Sequence, residues 1–278
     1  MHGIAFDSSY WDLPYQPQNY SYVYAAAQAG YTTFRYDRLG TGKSDFPSGY
    51  HVVQTPTDLQ ILLAFLDLLH EGKIGGKAYS KVVGVGHSYG SIQLVSASAL
   101  VPHQLAALVL TGFSANGSYI TQFETSSAFS RADSTYPSLF EGVPGEYMVF
   151  GLPQTTQINF LYYPYYDPQA AEVAWEVQQP VTMGVVFTLG AIQGGASGYT
   201  GPVYVVTGDR DWVFCGNQCN IRPDGVHTVL ELVGPTLFPN STNFSAHSPA
   251  NTGHGLTTHY STPETHANIM GWINATKY

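Results

Sequence analysis

Charge is the scarcest property of this 278-residue chain: only 10% of residues are Asp, Glu, Lys or Arg, and they sum to -9. Without a basic field nothing holds a phosphate backbone, so nucleic acid and anionic membranes are excluded as expected partners. No apolar run approaches the roughly 20 residues that span a bilayer. The start shows no basic stretch ahead of a short apolar one, so the chain as written carries no signal peptide. Cysteine is nearly absent, with Cys215 and Cys219 the only pair. They have no second ligand pair nearby, so a small loop disulfide is expected rather than a metal site. The ten histidines include no His-x-x-x-His spacing beside an acid, and neither metal nor organic cofactor is expected. Repeats and low-complexity tracts are also missing.

Asn-x-Ser/Thr sequons are present, five of them, at Asn19, Asn116, Asn240, Asn243 and Asn274. With the cysteine pair they point to a secreted, glycosylated protein. The length suits one α/β domain with an inserted segment.

Apolar runs alternate with helical patterns. Residues 31–36 are β-branched and aromatic and run into the turn-rich loop Asp37-Arg38-Leu39-Gly40-Thr41-Gly42, which reads as a strand feeding a loop. Thr55-Pro56-Thr57-Asp58 offers an N-cap, an N1 proline and a first-turn acid ahead of the apolar run 59–69. Residues 81–86, 105–111 and 202–207 read as buried strands, and 91–100 and 263–273 as helices. Such alternation predicts a mostly parallel central sheet flanked by helices, with the site at the carboxyl ends of the strands.

Residues 113–199 break the pattern. They are rich in aromatics, from Phe123 and Phe129 through Phe160 to Trp175, and they hold a helical candidate at 168–178 behind an Asp167 cap. The expected organisation is a core of 1–112 and 200–278 with a helical cap inserted at 113–199.

Gly86-His87-Ser88-Tyr89-Gly90 lies between a strand and a helix, the context in which G-x-S-x-G forms a nucleophile elbow. Small residues on either side let strand and helix approach while the hydroxyl is lifted into the site. A serine hydroxyl needs a histidine to take its proton and an acid to hold that histidine's tautomer. Asp209 and Asp211 both lie in the loop after 202–207, and spacing does not separate them. Thr252-Gly253-His254-Gly255 supplies the base, its glycines giving the loop freedom to reach the elbow. His247, His259 and His266 read as surface or helix residues. His2-Gly3-Ile4 can supply one backbone donor of an oxyanion hole at Ile4, and Tyr89, following the nucleophile, the other.

These motifs, with Asp37-Arg38-Leu39-Gly40-Thr41-Gly42-Lys43-Ser44 and Gly208-Asp209-Arg210-Asp211 in the same order, resemble the α/β-hydrolase superfamily, and within it secreted fungal proteins with a lidded esterase fold. The resemblance spans nearly the whole chain and selects Asp211 over Asp209, giving the triad Ser88, Asp211 and His254. In that family a central strand precedes His-Gly-x and lies between the strands ending at Asp37 and Gly86, whereas here Met1 stands directly before His2. The resemblance therefore implies a fold lacking its first strands, as in a truncated gene model, unless another segment fills the gap. It implies hydrolysis of a carboxylic ester, lactone or thioester of a neutral, hydrophobic small molecule through an acyl-enzyme. The competing expectation is an inactive remnant or small-ligand binder on the same fold. Ser88 in the nucleophile position argues against epoxide hydrolase and haloalkane dehalogenase chemistry, which need a carboxylate there. The oligomeric state has no signature in the sequence.

Overall fold

The computed structural model describes residues 1–192 and 194–276. In chain order its strands are β1 (Val83–His87), β2 (Ala107–Thr111), β3 (Phe129–Arg131), β4 (Tyr147–Phe150), β5 (Val181–Thr182), β6 (Val203–Val206) and β7 (Phe244–His247). The central sheet is four-stranded and wholly parallel, in the order β1-β2-β6-β7. Every residue of β2 and β6 is buried, as expected of parallel strands covered on both faces. Burial of Leu108 and Leu110, neither exposed at all, contributes about 1.5–3 kcal/mol each.

Helices Thr55–His70 and Tyr89–Leu100 pack together on one face of the sheet, and Thr262–Ala275 packs with the helix Tyr22–Gln28. The elbow helix can lie close to β1 because it begins Tyr-Gly-Ser and continues through small residues: a Cβ on Gly84 would sit 2.9 Å from Leu94. No helix among the described residues is long and apolar enough to cross a membrane.

Four expectations need correction. Residues 31–36 join no strand, and 32–35 are exposed. Between them and the free edge of β1 lies an open-sided apolar slot of about 520 Å³, lined by Leu62, Phe65, Leu66, Val83, Val85 and their neighbours. A strand is stable only when its backbone groups are paired, and among the described residues no segment pairs with 31–36 across this slot. Among the described residues Met1 alone makes ladder-like bonds along that edge, its nitrogen donating to Val85 O and its oxygen accepting from His87 N at 3.0 Å. Second, Thr55 does not cap its helix. Gln54 takes the N-cap place, and the Thr55 hydroxyl donates instead to Val185 O across the chain. Third, the segment between β2 and β6 is not purely helical: β3, β4 and β5 form a small antiparallel sheet beside helices such as Pro153–Phe160 and Pro168–Glu176. Fourth, β7 was not anticipated, since its half-buried Phe-Ser-Ala-His lacks a continuous apolar run.

Asp167 does cap Pro168–Glu176 as expected, its side chain accepting from the Gln169 and Ala170 amides. The aromatics of residues 113–199 are divided. Phe123, Phe140, Phe150 and Phe160 are buried, whereas Tyr163 and Tyr165 face solvent.

Candidate active site

Ser88 stands at the turn between β1 and the helix Tyr89–Leu100, with φ 55° and ψ -119°. This is a costly backbone for a residue with a Cβ, and it persists because its surroundings over-determine it. A Cβ on Gly86 would meet Gly90 C at 2.7 Å, and one on Gly90 would meet Met1 O at 2.4 Å, so neither position admits a larger residue. Thr111 secures the turn from β2: its carbonyl accepts from Ser88 N at 2.9 Å and from the Ser91 hydroxyl at 3.0 Å.

Asp211 lies after β6 and caps the short helix Trp212–Cys215, its Oδ1 accepting from Phe214 N at 2.8 Å. Oδ2 faces His254 Nδ1 at 2.7 Å, and neither side chain is more than 1% exposed. The imidazole thus donates from Nδ1 and keeps Nε2 as its basic nitrogen. Asp209, the other acid in this loop, does something else: its Oδ1 accepts from Thr252 N at 3.1 Å and its Oδ2 lies 3.5 Å from Arg210 Nε. It ties the loop that carries His254 to the loop that carries Asp211. The two loops meet tightly, since a Cβ on Gly208 would sit 2.1 Å from Thr252 O. Cys215 and Cys219 form a disulfide, closing a loop in which Asn217 N returns to Asp211 O at 2.9 Å.

His87 lies between the turn at Ser88 and His254. Its ring stacks on Tyr10 at 4.2 Å and lies 4.8 Å from the His254 ring. Burial, with His254 nearby, holds its pKa well below the usual range, so it is neutral. A Cβ on Gly112 would come 2.5 Å from His87 Cε1 and 3.1 Å from His254 Cε1, at a residue with φ +53°. Gly112→Ala is expected to push the imidazoles aside and cut kcat by roughly 100-fold, the effect of about 1 Å of misplacement. Steady-state kinetics on folded protein check this, and unchanged kcat contradicts it.

The opening residues pack directly on the elbow. A Cβ on Gly3 would lie 2.9 Å from Ser88 Cβ, which places the Gly3-Ile4 backbone against the nucleophile position. Tyr89 begins the elbow helix, so its N–H is among those a helix leaves without an internal partner. Beneath this backbone lies a buried polar group absent from the sequence-based expectations. Arg38 donates to Asp58 at 2.9 Å and to Gly3 O at 3.0 Å, and lies 4.6 Å over the Tyr89 ring, whose hydroxyl donates to Asp58 at 3.0 Å. His2 accepts from Arg38 N through Nε2 at 3.1 Å, and burial followed by Arg38 keeps its pKa well below the usual range. The signal for this group was Arg38 and Asp58 themselves, two charges in a chain with few, but their pairing spans 20 residues.

Aromatic rings close the site. Phe160 and Phe214 lie 5.2 Å and 5.8 Å from the His254 ring, and Phe160 in turn meets Phe6, Phe123 and Phe150. His247 lies in β7 and His266 in the final helix, where burial lowers the latter's pKa to about 4. His259 was read as a surface or helix residue and is neither: it is fully buried in the loop behind His254.

Among solved structures, tomato methylketone synthase I with 2-tridecanone is similar at TM-score 0.66 and 12% identity, over 100% of this chain and 97% of that one. A methylesterase from Arabidopsis is similar at TM-score 0.63 and 15% identity, over 99% and 97%. A monoacylglycerol lipase from Paleococcus ferrophilus is similar at TM-score 0.62 and 15% identity, over 98% and 91%. At these identities the likeness shows the fold. No curated protein matches the chain. A sequence profile described as the alpha/beta hydrolase family matches residues 1–267, and with this span covering nearly the whole chain, the protein belongs to that family.

Proposed function

We propose that the chain is a serine hydrolase that cleaves the ester, lactone or thioester bond of a small, neutral, hydrophobic molecule through an acyl-enzyme. The observation that carries this reading is the buried 2.7 Å pair between His254 and Asp211, with the His254 ring 4.8 Å from that of His87, the residue before a serine held at positive φ at a strand-to-helix turn.

In this scheme the Ser88 hydroxyl attacks the carbonyl carbon while His254 Nε2 takes its proton. Asp211 holds the imidazole's tautomer and stabilises the imidazolium without being protonated itself. The oxyanion is met by the N–H groups of Ile4 and Tyr89, the latter at the positive end of a helix dipole. The imidazolium returns its proton to the leaving oxygen or sulfur, and the acyl group remains on Ser88. Water, deprotonated in turn by His254, releases the acid and restores the serine. The wall of Phe6, Phe160 and Phe214 offers contact area without charge selectivity, and a net charge of -9 disfavours anionic substrates. Residues 113–199 act as the cap over the core 1–112 and 200–278. Esterase and lipase names among the structural neighbours support the chemistry. The Cys215–Cys219 disulfide, together with exposed sequons at Asn240, Asn243 and Asn274, supports a secreted glycoprotein.

The acid assignment has a direct test. Asp211→Asn is expected to lower kcat for p-nitrophenyl butyrate by roughly 10⁴-fold, as loss of the tautomer-setting acid does in serine hydrolases. Asp209→Asn is expected to lower it only several-fold. Equal losses in the two variants, or the larger loss in Asp209→Asn, would overturn the assignment. No turnover of any p-nitrophenyl ester by the wild type would favour a ligand-binding role instead.

A further inference from the structure

His259 makes three hydrogen bonds, all to main chain. Its Nε2 accepts from Gly253 N at 3.0 Å and from Tyr162 N at 3.1 Å, and its Nδ1 donates to Gly255 O at 2.9 Å. Two of these partners flank His254 in sequence. The third belongs to the cap, two residues after the helix Pro153–Phe160 whose last side chain faces the His254 ring. The ring therefore grips the base-bearing loop on both sides of the base and the cap by its first residues beyond that helix.

The surrounding bonds run along the same seam. Gly255 N donates to Phe160 O at 2.8 Å, Asp167 N to Thr258 O at 3.0 Å and Tyr260 N to Tyr165 O at 3.1 Å, and Tyr166 and His259 form an antiparallel bridge. The far side of His259 is tied down as well, its carbonyl accepting from the Thr262 hydroxyl at 2.6 Å. Within this seam His259 supplies the only side chain that bonds the cap and the base loop at once among the described residues. One nitrogen serving two N–H donors works only while that nitrogen is unprotonated. Burial, opposed only by the bond to Gly255, lowers the group to about 4, so it remains neutral through the working range of a histidine base.

We propose that His259 is a positioning residue for the hydrolysis: it locks the His254 loop to the cap segment 160–167, so that the place of the base and the closure of the aromatic wall are set together. The inference rests on the reading of Ser88, Asp211 and His254 as the triad. A purely structural role would affect how much protein folds, whereas a positioning role affects the turnover of each folded site. Base misplacement of about 1 Å costs roughly 100-fold in rate, so the two roles separate clearly.

The test measures kcat per active site, with sites counted by fluorophosphonate titration, on p-nitrophenyl acetate and octanoate. His259→Phe keeps an aromatic ring but takes the acceptor away from the buried Gly253 N–H and the part-buried Tyr162 N–H, while Gly255 O keeps its bond from the Thr258 hydroxyl. It is expected to lower kcat per titrated site by roughly 100-fold, and to raise KM more for octanoate than for acetate because the cap is no longer fixed. His259→Gln retains an acceptor for Gly253 and Tyr162 but loses the donor to Gly255, and is expected to recover to within roughly tenfold of wild type. Wild-type kcat per titrated site in His259→Phe, whatever its melting temperature, would overturn the proposal. Should that variant not fold, His259→Gln decides: a three- to tenfold loss per site supports the proposal and wild-type turnover overturns it. Absence of any Ser88 labelling in the wild type would instead remove the triad reading, and this inference with it.

Discussion

Ser88→Ala is expected to abolish ester hydrolysis, with kcat for p-nitrophenyl butyrate falling by roughly 10⁴- to 10⁶-fold, the range seen when a triad nucleophile is removed. The thermal midpoint should stay put or rise slightly, because alanine loses only a hydroxyl that makes no structural bond the fold depends on. The positive-φ backbone at Ser88 is held from outside, by Thr111 O and by the close approach of Gly86 to Gly90, and these contacts survive the substitution. A variant retaining more than about a hundredth of wild-type kcat would mean that another group performs the attack, since residual catalysis without the nucleophile is far smaller.

The second large effect is on stability. Asp58→Ala leaves the Arg38 guanidinium buried without its counter-ion, and removing one partner of a buried pair costs about 3–5 kcal/mol. At roughly 2–4 °C per kcal/mol for a domain of this size, the midpoint should drop by about 6–20 °C. Asp133, which pairs with Arg131 on the surface, provides the contrast: Asp133→Ala should leave the midpoint essentially where it was. Arg38 also holds Gly3 O and covers the Tyr89 ring, so the folded fraction of Asp58→Ala should turn over more slowly as well. A midpoint within 2 °C of wild type would show that the pair contributes no more than a surface one.

The difference between these two groups explains what was legible in the sequence. Ser88 announces itself because the elbow is built from residues next to it in the chain, and small residues on both sides are required by the strand-to-helix turn. His254 shows by its flanking glycines. Asp211 and Asp209 were inseparable by spacing, since one loop carries both; which of them His254 faces depends on where residue 254 arrives from 43 positions away. Arg38 with Asp58, and His259 with Tyr162, are pairings between distant segments, and no local pattern marks them. His259 in particular lacks any flanking signature, as all its partners are backbone.

The strands divide along the same line. β1, β2 and β6 lie in short apolar runs and were readable, although only β2 and β6 are buried throughout, Val83 and Val85 of β1 being half-buried. Residues 31–36 have strand composition but no partner strand among the described residues, because propensity describes how a segment fits a sheet and cannot supply the neighbour. The short β3 and β5, three and two residues long, carry too few positions for any period to emerge.

The most direct measurement is the site of fluorophosphonate attachment. The wild-type protein is treated with the probe, digested and mapped by mass spectrometry. The account predicts a single adduct, on Ser88, formed far more slowly in Asp211→Asn. An adduct on any other serine, or none on protein shown to be folded, would contradict the assignment of Ser88, Asp211 and His254 as the catalytic triad.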